Sequence, residues 1–297
     1  MFTLIIGGDS KLSYALISVL NKKHIQFFRT TRRNIISEDQ IFLDLNNVSN
    51  FKIPPNVNAA VIVGGVTSYD ACTKQYDYAY HVNCESIPQL VRMFLRKNIY
   101  TCFISSNTVF KFLKGLPQEY DKPCPGFEYA NLKAETEKKL IQISEQLNKQ
   151  ELFSILRLTK NVSLDTPPFG KWIDQIYHKE KISAFSDLYF APIRFSDSAK
   201  AIQIILKSKK SGIFHLSGEK DISYSDFAIK LLNYLQIDND IVSPVKSTDI
   251  GVNLAYNHPI TALDMNMTTS LFELKPITLI DIFKYLGTAL ENKILRC

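Results

Sequence analysis

The chain has 297 residues, 45% of them hydrophobic, and a formal net charge of +6, which is enough apolar material for one large domain or two smaller ones. Basic tracts such as Lys207-Ser208-Lys209-Lys210 are scattered, without the one-sided clustering and aromatic interleaving of a nucleic-acid module, and suit an anionic small ligand equally well. No apolar stretch approaches the roughly eighteen residues that span a bilayer, and Cys72, Cys84, Cys102, Cys124 and Cys297 have neither metal-like nor disulfide-like spacing, so a reduced, cytoplasmic protein with no metal is expected.

In chain order, strand-length apolar runs alternate with helical patterns through the first half, as a parallel sheet with crossover helices requires. The run at Leu4–Ile6 has no basic region before it and reads as a first strand, not a signal peptide. A helix follows over Leu12–Leu20, with Leu12, Ala15, Leu16 and Val19 apolar, then strands at Ile25–Phe28, Ile41–Leu43, Ala59–Val63 and Tyr100–Ile104. Helices are expected over Tyr76–Lys97 and Tyr129–Asn148, and a further strand over Leu152–Arg157. Beyond that the pattern loosens. Thr166-Pro167-Pro168-Phe169-Gly170 is a turn cluster, and it precedes a helix near Lys171–His178, a strand at Gly212–Leu216, a helix at Tyr224–Leu235 and a last helix near Leu279–Leu295. Residues 1–165 therefore form the expected nucleotide-binding domain, and 166–297 a smaller region partly interleaved with it.

Gly7-Gly8-Asp9-Ser10-Lys11-Leu12-Ser13 lies between the first strand and first helix, where small residues let backbone N–H groups approach a pyrophosphate. Ser10 and Ser13 stand where two further glycines are expected, so a capped strand-to-helix turn without a ligand is equally compatible. After the second strand, Arg29-Thr30-Thr31-Arg32-Arg33 carries no acid for a ribose hydroxyl; its guanidiniums suit a 2′-phosphate, which favours NADP over NAD, or else form a solvated loop. Asp44, with Leu45, reads as an acceptor for an adenine amino group or as a cap. Tyr129 and Lys133 are one helical turn apart, so phenol and ammonium can share a site, where a cation favours the phenolate and Ser106 offers a hydroxyl. The same spacing also occurs by chance on solvated helices.

This ordered set, from the turn at Gly7 through Asp44-Leu45, Val63-Gly64-Gly65, Asn83, Ser105-Ser106-Asn107-Thr108 and Tyr129/Lys133 to Arg157, resembles the extended short-chain dehydrogenase/reductase family. Its sugar-nucleotide branch, with dTDP-4-dehydrorhamnose reductase-like and NAD-dependent epimerase-like members, is the most similar, and matches continue through Ala191–Asp197, Gly212–Gly218 and Pro259–Asp264. The resemblance implies a Rossmann-type doubly wound parallel sheet with a smaller C-terminal α/β substrate-binding region. It implies that Ser106 orients a substrate carbonyl, Tyr129 donates the proton and Lys133 binds nicotinamide ribose. It places Gly7, Ser10, Lys11, Leu12 and Ser13 at the pyrophosphate, with Gly64, Gly65 and Val66 beside the adenosine and pyrophosphate. It sets Thr108 toward the substrate, and Lys171, Trp172 and Arg194 toward the diphosphate of a nucleotide-linked sugar, with ordinary helix packing an equal reading for Trp172. It also implies a helix-packed homodimer and a role in surface polysaccharide synthesis.

Asn107-Thr108 stands after Ser106, where dehydratases of the family carry an Asp-Glu pair, so keto reduction is expected over elimination. Cys124 and His178 correspond in kind to the bases of epimerase-reductases, or are incidental; His215 lies in an apolar strand and Asn83 reads as a tie between helix and sheet. A sugar-nucleotide 4-epimerase, and a non-catalytic dinucleotide or sugar-nucleotide binding protein, are the alternative readings.

Overall fold

The computed structural model, which describes residues 1–111, 115–251 and 258–295, resolves the alternating pattern into a seven-stranded parallel sheet. Six of its strands are β1 (Phe2–Ile6), β2 (Gln26–Thr31), β3 (Gln40–Phe42), β4 (Ala59–Ile62), β5 (Tyr100–Ser106) and β6 (Phe153–Leu158). The short strands β7 (Lys160–Val162), β8 (Ile182–Phe185), β9 (Tyr189–Phe190) and β10 (Pro192–Arg194) precede β11 (Gly212–Leu216), and β12 (Ile222–Ser223) and β13 (Val242–Val245) follow it. The spatial order is β11-β6-β5-β4-β1-β2-β3, so the chain reverses its direction of travel between β1 and β4. In such a sheet, ligands bind outside the carboxyl ends of the strands at that reversal. The central strands are continuous apolar runs, with Leu4, Ile5, Ile6 and Ala59 through Ile62 all fully buried, because helices cover both faces.

On one face lie α1 (Lys11–Lys22) and, from much later in the chain, the helix Phe195–Ser208, packed against each other over Ile5, Val61 and Phe214. On the other face, α2 (Tyr69–Lys74), α3 (Tyr76–Tyr80), α4 (Ile87–Arg96) and α5 (Glu128–Gln146) bring Leu90, Phe94, Leu140 and Ile143 over Leu4, Ile62 and Phe103. The helix expected as one piece over Tyr76–Lys97 contains a π-helical turn at His81–Ser86. The turn carries Asn83, whose side-chain amide donates to the Val66 carbonyl and accepts from the Val66 N–H, both at 2.9 Å. One π-type turn widens the helix and re-aims a residue without ending it, which a period of 3.6 cannot reveal.

Past Val162, α6 (Phe169–His178), α7 (Phe195–Ser208), α8 (Tyr224–Tyr234), α9 (Asn266–Phe272) and α10 (Leu279–Ile294) complete the chain. Helices α6, α8 and α10, with the two-stranded pairings β9–β12 and β8–β13, enclose their own core of Phe169, Trp172, Phe190, Phe227, Ile282 and Leu286. Helix α7 covers the main sheet, and β11 is its edge strand beside β6. The cysteines of the described residues, Cys72, Cys84, Cys102 and Cys124, are free thiols, and Cys297 lies outside those residues. Among the described residues there is no group of three or more His, Cys, Asp or Glu set to hold a metal ion, and no helix long and apolar enough to cross a membrane.

Arg157 on β6 is 1% exposed and pairs with the equally buried Glu137 of α5, Nη2 to Oε2 at 2.7 Å and Nε to Oε1 at 3.1 Å. The guanidinium also lies 4.8 Å from the centre of the Phe110 ring. His215 on β11 meets the Asp264 carbonyl through Nδ1 at 2.9 Å, so Nδ1 carries the hydrogen and Nε2 accepts from Arg157 Nη1 at 3.4 Å. Burial, and then the neighbouring guanidinium, hold that imidazole down to about 3, neutral across the physiological range. Arg157→Ala should cost about 3–5 kcal/mol, because it strands the Glu137 carboxylate. Urea unfolding at neutral pH measures it, and a loss below about 1 kcal/mol would contradict the pairing's importance.

Candidate active site

The phosphate-type turn is built by close backbone approach. Gly7 has φ +88°, and a Cβ there would fall 2.4 Å from Gly64 Cα; the two glycines cap the adjacent strands β1 and β4 at the reversal point. The N–H groups of Gly7 and Gly8 point back into the sheet, to Thr30 Oγ1 and the Thr30 carbonyl. Ser10 is the N-cap of α1, and its Oγ accepts from the Ser13 N–H at 3.1 Å. Ser13 is fully buried and donates through Oγ to the Gly7 carbonyl at 2.8 Å, so its side chain lies beneath the turn and adds no bulk above it. The first-turn amides of Lys11 and Leu12 have no acceptor within the helix. This small-residue turn, with Gly64 and Gly65 opposite, fits a pyrophosphate. Lys11 Nζ donates to the Asp165 carbonyl, tying the turn to the start of the C-terminal region.

Ser106 ends β5 and Tyr129 opens α5. The Ser106 Oγ accepts from the Thr108 N–H at 3.2 Å and from Thr108 Oγ1 at 3.0 Å. Tyr129 is 8% exposed, beside the rings of Tyr69 and Phe127. Burial pushes its phenol above the ordinary value, with Tyr69 acting the same way, and a hydrogen bond from Ser106 works against the rise. This reverses the direction expected from proximity to a lysine. The reason is geometric: Lys133 Nζ donates to the Ile104 carbonyl at 3.0 Å and lies 4.7 Å over the Phe103 ring, directed at the sheet. Burial lowers Lys133 to about 8, opposed by the charge of Glu137 one turn on.

Ser106, Thr108 and Tyr129 line one cleft of ≈ 550 Å³, together with Thr159, Lys160, Asn161, Tyr189 and Tyr224. Lys171 and Arg194 do not join them. They line a different cavity, against α10, and Arg194 is held by Asp197 through Nε to Oδ2 at 2.7 Å and Nη2 to Oδ1 at 2.8 Å, forming the cap of α7. Trp172 is 3% exposed in the aromatic core with Phe169, Tyr224 and Phe227, so of its two readings, substrate contact or helix packing, the structure favours packing. Arg29 is likewise committed, its Nε 2.6 Å from Asp39 Oδ2. Arg32, at the end of β2, keeps an exposed side chain, 3.4 Å from the Tyr78 hydroxyl. Asp44 Oδ1 accepts from the Asn46 N–H, a turn contact, with Leu45 beside Gly64. Cys124 packs with Val109, Phe110 and Leu263, away from the cleft, and His178 is exposed at the end of α6.

The sequence reading missed Thr159, Lys160 and Asn161. Their signal was available, since they follow directly on the carboxyl end of a parallel strand.

A doubly wound parallel sheet with a small-residue turn at its reversal point defines a Rossmann-type α/β protein. The chain belongs to a particular family of that class: the model of the RmlD substrate binding domain matches residues 1–279. It is 25% identical over 246 residues, 77% of this chain and 78% of the relative, to a dTDP-4-dehydrorhamnose reductase of Aggregatibacter actinomycetemcomitans. Among solved structures it is similar to the dTDP-4-dehydrorhamnose reductase of Bacillus anthracis in complex with NADP, with TM-score 0.75, 19% identity and coverage of 100% of this chain and 99% of that one. It is also similar to MoeE5 in complex with UDP-glucuronic acid and NAD, with TM-score 0.80, 15% identity and full coverage of both chains (100% and 100%).

The buried lysine makes stability depend on pH in a definite direction. Lys133 titrates near 10.5 when unfolded and near 8 when folded, so between those values the unfolded chain holds more protons and stability rises with pH. Below about pH 8 the cost of burying the ammonium is fully present. Wild type should therefore gain on Lys133→Met in urea-unfolding free energy between pH 7.5 and 10. A gap that stays constant would show that Lys133 is not depressed.

Proposed function

We propose that the protein is an NADP-dependent oxidoreductase that reduces the keto group of a nucleotide-linked sugar. The observation that carries this reading is the single cleft at the strand ends that Tyr129 and Ser106 line together, with the Ser106 hydroxyl opposing the rise of the Tyr129 phenol. A bound reduced nicotinamide supplies hydride to the carbonyl carbon. The Ser106 hydroxyl orients the carbonyl oxygen, and the Tyr129 phenol, kept protonated by burial, delivers a proton to it as charge develops. Lys133, now on the Ile104 carbonyl, is one turn from Tyr129 and is assigned to the nicotinamide ribose.

The remaining cofactor assignments follow the same geometry. Gly7, Ser10, Lys11 and Leu12 would hold the pyrophosphate, and Gly64, Gly65, Val66, Asp44 and Leu45 the adenosine side. Arg32 takes the 2′-phosphate role, since Arg29 is occupied by Asp39. The relatives named above support the reading: one is a reductase of a dTDP-linked sugar, and another reductase was solved with NADP. A substrate-binding unit formed mainly by residues 166–297, a cytoplasmic homodimer and a part in surface polysaccharide synthesis belong to the same proposal.

Replacing Tyr129 by Phe should lower turnover roughly 10²–10⁴-fold, as loss of a general acid does, while NADPH affinity stays within a few-fold. Fluorescence titration with NADPH and NADH tests the cofactor directly, and binding of neither would sink the reading. In the same titration, Arg32→Ala should weaken NADPH at least several-fold and leave NADH unchanged, whereas Arg29→Ala should act mainly on stability.

A further inference from the structure

Among the described residues that line the catalytic cleft, Lys160 carries the one charged side chain; the others are hydroxyl, amide, aromatic or aliphatic groups. No carboxylate pairs with it in the described structure: the buried acids nearest in sequence to the site are committed, Glu137 to Arg157 and Asp197 to Arg194. The side chain is open to the cleft, yet the surrounding walls depress its ammonium below the ordinary lysine value through desolvation alone. An ammonium that opens into a cleft shared with Tyr189, Phe190 and Tyr224, with no carboxylate paired to it among the described residues, is available to a ligand that carries the counter-charge.

Its position says which part of a ligand it meets. Ser106 pairs with Leu158 in the β5–β6 ladder, and Lys160 lies two residues further on, about 7 Å along the strand direction. Lys160 then pairs with Pro192 in β7–β10, which fixes its backbone at the wall of the cleft. Residue 160 therefore stands just past the strand ends that carry Ser106 and Thr159, and its side chain lines the same cleft, where the sugar ring would be held.

Resting on the reductase reading, we propose that Lys160 is a specificity-determining residue and that the sugar of the substrate bears a carboxylate, as in a nucleotide-linked uronate. The hydroxyl-rich wall hydrogen-bonds the ring hydroxyls while Lys160 takes the carboxylate. The partly apolar surroundings strengthen that charge-assisted hydrogen bond relative to water.

The test is calorimetric titration of the NADP-saturated full chain with UDP-glucuronic acid, UDP-glucose and UDP, and with the dTDP counterparts of all three. Within at least one nucleotide series the uronate should bind roughly tenfold or more tightly than the hexose. Lys160→Met should level that pair and leave the nucleoside diphosphate unchanged, and Lys160→Arg should keep the preference. Unchanged NADPH affinity and melting temperature establish that each variant is folded. Equal binding of uronate and hexose by wild type, or no binding of either in both series, overturns the proposal. So does a Lys160→Met variant that weakens all three ligands alike, which would put the cation on the diphosphate. The reductase reading fails separately, on absent NADPH binding or on turnover indifferent to Tyr129.

Discussion

The buried pairing of Arg157 with Glu137 is the contact on which the site's geometry depends. Tyr129, Lys133 and Glu137 follow one another at intervals of four residues, so they share one face of α5. Arg157 stands opposite Ser105 in the β5–β6 ladder, immediately beside Ser106. A bidentate contact between Glu137 and Arg157 therefore fixes both the rotation and the height of the helix relative to the strand that ends in Ser106. The hydroxyl of one element and the phenol of the other line one cleft because a charge pair two turns away leaves the helix one way to lie. Such a pair adds little net stability compared with an apolar substitute, and its value here is in specifying the geometry.

The electrostatics of the cleft follow from what that packing buries. The phenol is pushed up and the ammonium is pushed down, both by desolvation, so each is moved toward its neutral form. Desolvation lowers Lys133, and the charge of Glu137, the same carboxylate that anchors Arg157, opposes that shift. One buried acid thus serves position and charge at once. Around it the walls are nearly all neutral, which makes any single cation in the cleft count for more than it would on an open surface.

Much of this was legible in the residues. The alternation of apolar runs with helical periods identified the central strands because a sheet covered on both faces needs continuous Val, Ile, Leu and Ala. Ser106, Thr108 and Tyr129, which share one cleft, were readable as candidates, Ser106 and Tyr129 from strand-end position and helical spacing and Thr108 from the family resemblance. The failures came where a side chain had two possible destinations. Arg29 and Arg32 differ little as letters, but one meets Asp39 ten residues on and the other faces water. Arg194 was set toward substrate, whereas Asp197, three residues on, holds it at the α7 cap; of the two readings open for Trp172, the aromatic core with Tyr224, distant in sequence, favours packing. The helix at Phe195–Ser208 went unread although Ala199, Ile202, Ile205 and Leu206 form an apolar stripe, since its start is capped by Arg194 and Asp197 in place of the usual serine or threonine.

The amide of Asn83 has a consequence for how such a chain can vary over generations. It holds residue 66 only by backbone atoms, so this brace does not depend on which side chain residue 66 carries; the Val66 side chain itself packs against the apolar cluster of Cys72, Phe127 and Tyr129. Position 83 enjoys no such latitude, and neither does Gly65, where an added Cβ would lie 2.7 Å from the Asn83 oxygen. Drift is thus channelled: residue 66 can exchange for another side chain that fills the same apolar space, while the brace behind it stays the same.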